Sequence, residues 1–462
     1  MAVVSNVFWY INSSKWWVFA LQSYSQIIWA STAAAAVAIM NTDPLTYYTS
    51  LNSQWHLYNN WVANEAGTWL YNWSDWTAIY SNWTWSVWAK TYKTFTISWT
   101  ETSTPWSFNP VYSWDAAWLT AGSWAFDDFF WYSAVLLNTS WQETATMSQT
   151  WWTFSWVMSS LWNITSWDNV MIKFPKRWIK MTKSWSTVTL SITDDPNKSS
   201  EWFQYYAHSK WQINNITWTS DAFYLWAYKG YSNSWVLKSW SWKTPTWSQT
   251  QATFCSYAKA NNTNLWWNIV WFYQREFVNA LYIMKYWNPD CQTIIGRWYV
   301  SGSHSSARNT WWTDSQTSAS YGSTSEDTQV KLFWLEDWWG NMNDWIWWMY
   351  TDGNKVLYTQ LSWYSGAISW WVSTWTTIQH SWSNYCISSI AWNNNAMFAP
   401  IATVSNSNYN TYYCDYGGVG ASCLALAGGG WYNGSGAGAF LLHVNISASF
   451  SYADIGSRLM FL

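Results

Sequence analysis

Residues 332–350 read LFWLEDWWGNMNDWIWWMY, and three carboxylates, Glu336, Asp337 and Asp344, stand there among six tryptophans. Carboxylates so grouped fit an acid–base set, a group of calcium ligands, or a loop core tied together by hydrogen bonds, since buried polar groups are nearly always paired. The tryptophans pose a separate question, because the same residue crowds segments where loops are expected.

The chain has 54 tryptophans and 19 glycines in 462 residues; ordinary usage of about 7% would give roughly 32 glycines. Nine glycines fall in residues 1–416 and ten in residues 417–462, where Trp431 is the one tryptophan. In KMTKSWSTVTLSI (residues 180–192) two strand-like runs flank a tight joint with Trp185 at its tip. Such turns favour Gly, Asn or Asp because one residue takes positive φ. In FYQREFVNALYIMKYWNPD (residues 272–290), Phe277, Val278, Leu281, Tyr282 and Met284 recur at helical spacing before Trp287-Asn288-Pro289 stops the run. Trp287 thus takes the place after the helix that glycine favours. NTSWQE, ITSWDN and LYNWSDWTAIYSNWTWS repeat tryptophan among loop-forming residues. Many of these positions are expected to be glycine in the native protein, from UGA codons read as glycine in the source cell. Trp185, Trp287 and Trp334 belong to that set; Trp338, Trp339, Trp345 and Trp431 are expected to be true tryptophans.

Charged residues are 10% of the chain and the net charge is −3, so no basic field points to nucleic acid or to an anionic membrane. Ser, Thr, Asn and Tyr dominate the polar fraction, which suits β-rich extracellular or virion proteins. No signal peptide is expected at the N-terminus. ASTAAAAVAIM (residues 30–40) is too short to span a bilayer and is expected to form a packed helix, without membrane insertion. Cys255, Cys291, Cys386, Cys414 and Cys423 include no Cys-x-x-Cys pair, and no histidine stands at zinc spacing, so neither a metal nor another cofactor is expected. The odd count argues against a full disulfide framework and leaves one or two bridges open. DDPNK (residues 194–198) reads as a turn rather than a cation site.

Four regions are expected along the chain. Residues 1–60 form an N-terminal attachment region, and residues 61–145 are β-rich. Residues 146–200 form a small antiparallel β-domain, with strands ATMSQT, NVMIKFP, IKMTKS and STVTLSI closed by TDDPN. Residues 201–462 mix strands with two helices, one near SQTQATFCSYAKANN and one over residues 272–286.

The segment at 334–345 resembles the signature of the C-type-lectin-like fold shared by formylglycine-generating enzymes and the variable proteins of diversity-generating retroelements. The family runs Gly-Leu/Ile-Glu-Asp/Asn-aromatic-Trp-Gly-Asn, then an acidic residue and Trp. Here Trp334 (as the Gly), Leu335, Glu336, Asp337, Trp338, Trp339, Gly340, Asn341, Asp344 and Trp345 match it. Residues 272–297, with QTIIGR, are similar to the family's helix and following loop. GGGWYNGSGAGAFLLHVNISASFSYADIGSRLMFL (residues 428–462) resembles a retroelement variable region, Gly-Gly-Ser-Trp through to Ile-Gly-x-Arg, so Trp431 and Arg458 join the structural motif. The resemblance covers roughly the last 260 residues of the chain.

It implies an α+β C-type-lectin-like C-terminal domain, with variable region 428–462, preceded by a β-rich N-terminal region. It also implies diversified, ligand-binding residues at Tyr432, Asn433, Gly436, Leu442, His443, Asn445, Ile446, Phe450, Tyr452 and Asp454, with Gly417, Gly418 and Gly420 as weaker candidates. The carboxylates of the signature are implied to be structural, and no catalytic residue is implied. The implied partner is a protein or glycan receptor on a target cell surface, bound from a virion tail or a cell surface; fibre-type proteins of this kind are often homotrimers.

Elementary patterning agrees with a binding surface on a scaffold. Ala439, Val444, Ala448, Ile455 and Leu459 can pack, while His443, Asn445, Phe450 and Tyr452 between them can face a ligand. Tyr, Asn, Ser and Gly make a paratope-like mixture. Only Asp415, Asp454 and Arg458 are charged within residues 399–462, which favours recognition by shape, stacking and hydrogen bonds. His443 has no second histidine or paired carboxylate nearby and reads as a variable surface position. Two other readings are an oxidoreductase of the formylglycine-generating type and a non-variable structural component of a virion or surface layer. For the first, Cys414 and Cys423 are nine residues apart rather than the family's five.

Overall fold

Apolar and hydroxyl side chains alternate along four antiparallel strands, ordered Trp178–Ser184, Thr187–Thr193, Thr94–Thr100, Val111–Trp114. The period of two turns Val188, Leu190, Ile192, Phe95, Ile97, Ile179 and Met181 into the core. Ser184 pairs with Thr187, so Trp185 lies in a two-residue hairpin turn. In this computed structural model the described residues are the strands between Val7 and Val87 and residues 92–462, less 101–109, 147–167, 214–215, 266, 298, 301–305, 317, 324–328, 360–371, 378–385 and 405–414.

The described chain is mostly β with few helices, in two compact units, Met1–Tyr92 and Lys93–Leu462. The first holds a three-stranded antiparallel sheet (Val7–Asn12, Trp17–Leu21, Gln26–Ala30) and a four-stranded one (Trp61–Ala63, Trp69–Asn72, Thr77–Asn82, Thr84–Val87). Ala30 ends a strand, and the rest of the expected alanine-rich helix lies outside the described residues.

Two larger sheets build the second unit. One orders Glu143–Thr146, Ser133–Leu137, Asn169–Pro175, Ala222–Trp226, Leu459–Phe461 and Trp267–Ile269. The other runs Val372–Thr377, Val356–Thr359, Asn343–Thr351, Leu424–Ala427, Leu442–Ile446, Gly417–Val419, with Ile455–Gly456 pairing beside Asn343–Thr351. The boundaries expected at 145/146 and 200/201 therefore run through shared sheets. Strand 169–175 pairs with 133–137 on one side and 222–226 on the other. The physical reason is that an isolated hairpin cannot bury its apolar face, so these strands complete larger sheets.

Both helices read from the sequence are present. Gln251–Lys259 starts at Thr250, whose Oγ1 accepts from the Thr253 N–H at 3.2 Å. Phe272–Tyr286 ends at Trp287 with φ 48°, whose N–H donates to the Ile283 carbonyl at 2.8 Å. Ala125–Phe130 and Cys291–Ile294 are short additions.

The tryptophans fall into two kinds. Among the described residues, twelve of the twenty-one non-glycine residues at positive φ are tryptophan, a conformation that costs an L-residue roughly 1–2 kcal/mol. Trp185 has φ 56° and is 97% exposed. Trp131 and Trp202 close helices in the same left-handed conformation. Trp334 also has positive φ, 68°, although it is buried. Trp338, Trp339 and Trp345 are instead wholly buried outside that region. Their indole N–H groups donate to Asn279 Oδ1 (3.0 Å), the Gly296 carbonyl (3.1 Å) and the Gln249 carbonyl (3.1 Å).

Candidate functional site

Beneath the C-terminal segment lies a buried ionic cluster. Asp344, in the strand Asn343–Thr351 that begins within the signature, accepts from Lys229 Nζ at 2.8 Å, and Arg275 and Arg458 approach it at 3.9 and 3.8 Å. All four side chains are essentially inaccessible. Burial pushes the Lys229 ammonium down to about 8, against the opposing pull of Asp344. Asp344 offsets only one of the three cations; the carboxyls of Asp337 and Glu336 near Arg458, and of Glu276 and Asp415 near Arg275, also favour the charged guanidinium groups. Arg458 also donates to the carbonyls of Trp226 (2.6 Å) and Asp337 (3.2 Å), tying this segment to the end of strand Ala222–Trp226 and to the signature turn. The Arg275 guanidinium lies 4.5 Å from the Trp338 ring centroid.

The signature carboxylates serve the backbone around them. Glu336 accepts from the N–H groups of Trp311 and Thr313, both at 3.0 Å, and from Thr313 Oγ1 at 2.6 Å. Asp337 accepts from Gln329 Nε2 (2.7 Å) and Asn341 Nδ2 (2.9 Å). Asn341 Oδ1 in turn accepts from the Arg308 N–H at 2.8 Å. Burial raises both carboxyls, that of Asp337 to about 8 with the Glu336 charge adding to it. Gly340 has φ 76° and donates its N–H to Gly428, where a Cβ would meet the Trp338 carbonyl at 3.0 Å. Trp431 packs in the main core.

The ten residues expected at the surface divide. Tyr432, Phe450 and Tyr452 are exposed, at 51%, 40% and 58%. They lie near one another: the Tyr432 hydroxyl bonds Asp454, Tyr452 is near enough to help raise the Tyr432 pKa, and the rings of Phe450 and Tyr452 stack 6.0 Å apart. His443 and Asn445 are half-buried on alternate positions of strand Leu442–Ile446, flanking Gly418. Ile446 is also half-buried and packs against the second core cluster.

The other four are corrections to the expected exposure. Leu442 points the opposite way from His443, into the core. Asn433 is buried, with Oδ1 accepting from the Gly430 N–H at 2.7 Å and holding the turn. Asp454 is buried and accepts from Asn343 Nδ2 at 2.7 Å. At Gly436 a Cβ would lie 2.4 Å from the Tyr416 ring. Gly417 and Gly420 are similarly confined, with a Cβ 2.9 Å from Ile387 and 2.7 Å from Cys423 Sγ. These positions support the surface rather than form it.

Residues that the sequence reading passed over brace the same segment. Gln292 Nε2 donates to the carbonyls of Gly434 (3.0 Å) and Ala437. Asp415 accepts from the Phe440 N–H at 2.7 Å. Lys229 completes the ionic cluster from a loop far upstream. Gln292 sits in the quoted QTIIGR stretch and was within reach of sequence reasoning; Lys229 carries no local signal.

Cys414 lies outside the described residues. Cys423 is a free thiol whose Sγ–H donates to the Ala421 carbonyl at 3.3 Å. Burial raises its pKa, the opposite of what a nucleophilic thiolate requires. Among the described residues no group of three or more His, Cys, Asp or Glu side chains is placed to hold a metal ion. Nor is any helix among them long and apolar enough to cross a membrane.

No family model matches the chain, and no curated protein sequence matches it. Among solved structures it is similar to a Major Tropism Determinant P3c variant, at 13% identity over 74% of this chain and 73% of that one, with a TM-score of 0.25. A Major Tropism Determinant U1 variant gives 11% identity, the same coverages and the same TM-score of 0.25.

Proposed function

We propose that this chain is a hypervariable receptor-binding protein whose C-terminal segment is diversified by a retroelement, carried on a phage tail or displayed on a cell surface. Residues 1–60 serve as the attachment region, and the C-terminal portion has a C-type-lectin-like fold. Recognition of a protein or glycan receptor falls to the exposed aromatics Tyr432, Phe450 and Tyr452, with His443 and Asn445 beside them. Homotrimeric assembly would multiply weak single contacts. The observation that carries this reading is the layering of the site: exposed, chemically varied side chains stand over a buried network drawn from Glu336 to Trp345 and Arg458. Such a rigid support tolerates change above it.

Sequencing many copies of the gene from one population tests this. Substitutions are expected at Tyr432, His443, Asn445, Phe450 and Tyr452, each opposite an adenine in a template repeat, and rarely at Leu442, Gly436 or Asp454. Changes spread evenly over residues 200–462 would end the proposal.

The same reading includes recoded glycine. Tryptophans at positive φ, many of them exposed, support glycine at Trp185, Trp287 and Trp334 in the native protein, while the bonded indoles of Trp338, Trp339 and Trp345 support tryptophan there. Peptide mass spectrometry on protein from the native host decides each position.

A further inference from the structure

Away from the C-terminal surface, the outward face of the four-stranded sheet bears a groove of about 260 Å³. Its floor follows from strand alternation. With Ile97, Met181, Leu190 and Ile192 turned into the core, the alternate positions present Thr96, Thr182, Thr189, Ser191 and Lys180 on the other side. Thr96 Oγ1 and Ser191 Oγ lie 2.8 Å apart, and Thr96 is only 5% exposed despite facing outward, so the floor is recessed. The Phe203 ring walls one side, with Lys180 Nζ 5.7 Å from its centroid. Lys198 and Glu201 pair at 2.6 Å along the lining. Trp114, 71% exposed at φ 56°, also lines the groove; the glycine that its backbone favours would leave the hydroxyl floor unchanged.

Hydroxyl groups both donate and accept, and neighbouring strands space them about 4.7–4.9 Å apart. An aromatic wall offers a face to C–H groups, and an ammonium supplies a point charge for a carboxylate. Lys198 is engaged by Glu201, so Lys180 is the cation assigned to the ligand. We propose that this groove binds an acidic saccharide unit, a pyranose bearing a carboxylate, with its hydroxyls on Thr96, Thr189 and Ser191 and its carboxylate on Lys180. The volume falls below the roughly 300–1,000 Å³ of sites for drug-sized ligands, which limits occupancy to a single sugar residue. This site is independent of the proposed receptor surface.

Calorimetric titration of the full chain with methyl glucuronide tests it, supported by saturation-transfer NMR. Saturable binding is expected, weaker by about tenfold for the neutral methyl glucoside and for Lys180→Gln, and by a few-fold for Thr189→Val. Lys180→Arg should retain binding, and replacing Tyr432, Phe450 and Tyr452 together with Ala should leave it unchanged. Thermal melts establish that each variant is folded. Absence of saturable glucuronide binding overturns the proposal, as does equal binding by Lys180→Gln. Full competition by sodium sulfate together with an unaffected Thr189→Val would reduce the groove to a simple anion site and also overturn it.

Discussion

At Trp185 a large ring stands almost wholly in solvent on a backbone that disfavours any Cβ, and two measurable consequences follow. Trp185→Gly should stabilise the fold by up to roughly 1–2 kcal/mol because glycine relieves the left-handed penalty, and Trp287→Gly by less, because its half-buried ring also stacks on Tyr112 at 5.3 Å. Trp345→Ala should cost about 3–5 kcal/mol by opening a cavity in the core. Thermal melts of the three variants check both signs at once. The distinction between these tryptophans was legible in the sequence through neighbours: a serine on each side of Trp185, Asn-Pro after Trp287, the signature around Trp345. Burial of Trp334 was not, because a turn residue's depth depends on what later strands lay over it.

Between residues and the whole, elements decide which side chains meet solvent. Strand Leu442–Ile446 alternates inward and outward; Val444 was read as packing and His443 and Asn445 as facing a ligand, but Leu442 was grouped with the ligand-binding positions although it shares the inward parity of Val444. Pairing with Leu424–Ala427 and Gly417–Val419 sets it. Replacing Tyr432, Phe450 and Tyr452 with Ala should therefore change stability by no more than about 0.5 kcal/mol each, while, on the proposed function, costing about 2 kcal/mol or more apiece in receptor binding. Melting curves beside a cell-binding assay test this, and a loss of stability matching that of Trp345→Ala would place those rings in the core.

The helix Phe272–Tyr286 carries a second elemental property. Burial lifts the Glu276 carboxyl from 4.5 to about 8, only partly offset by Arg275, the Phe398 N–H and Asn279. The folded chain then retains a proton that the unfolded chain releases, so the stability this group contributes is lost as pH rises from about 4.5 to about 8. Glu276→Gln lacks that loss. Its melting temperature should gain on that of the parent protein steadily between those limits, whereas a constant difference would mean that Glu276 ionises normally. The helical period of this segment was plain from the sequence, but not the depth of its polar residues, which follows from cover supplied on every side.

Over the whole molecule, the last strand is the keystone of the larger unit. Leu459–Phe461 pairs with both Ala222–Trp226 and Trp267–Ile269, and Leu459, Met460, Phe461 and Leu462 are all buried. Removing residues 459–462 should abolish cooperative unfolding of Lys93–Leu462, unlike the mild effect of trimming most chain ends. Circular dichroism of the truncated chain checks it. No local pattern announced this closure, since the partners lie some two hundred residues upstream.

That closure has a bearing on how such a gene tolerates rewriting. The anchoring strand and Arg458 are translated after every exposed position in the C-terminal segment, so a frame-shifting insertion or deletion among those codons scrambles the anchor as well. A shifted reading frame yields a chain that cannot close its sheet, and only copies that keep the frame retain the anchoring strand. The fold thereby proofreads the frame of the exposed segment that precedes its last strand.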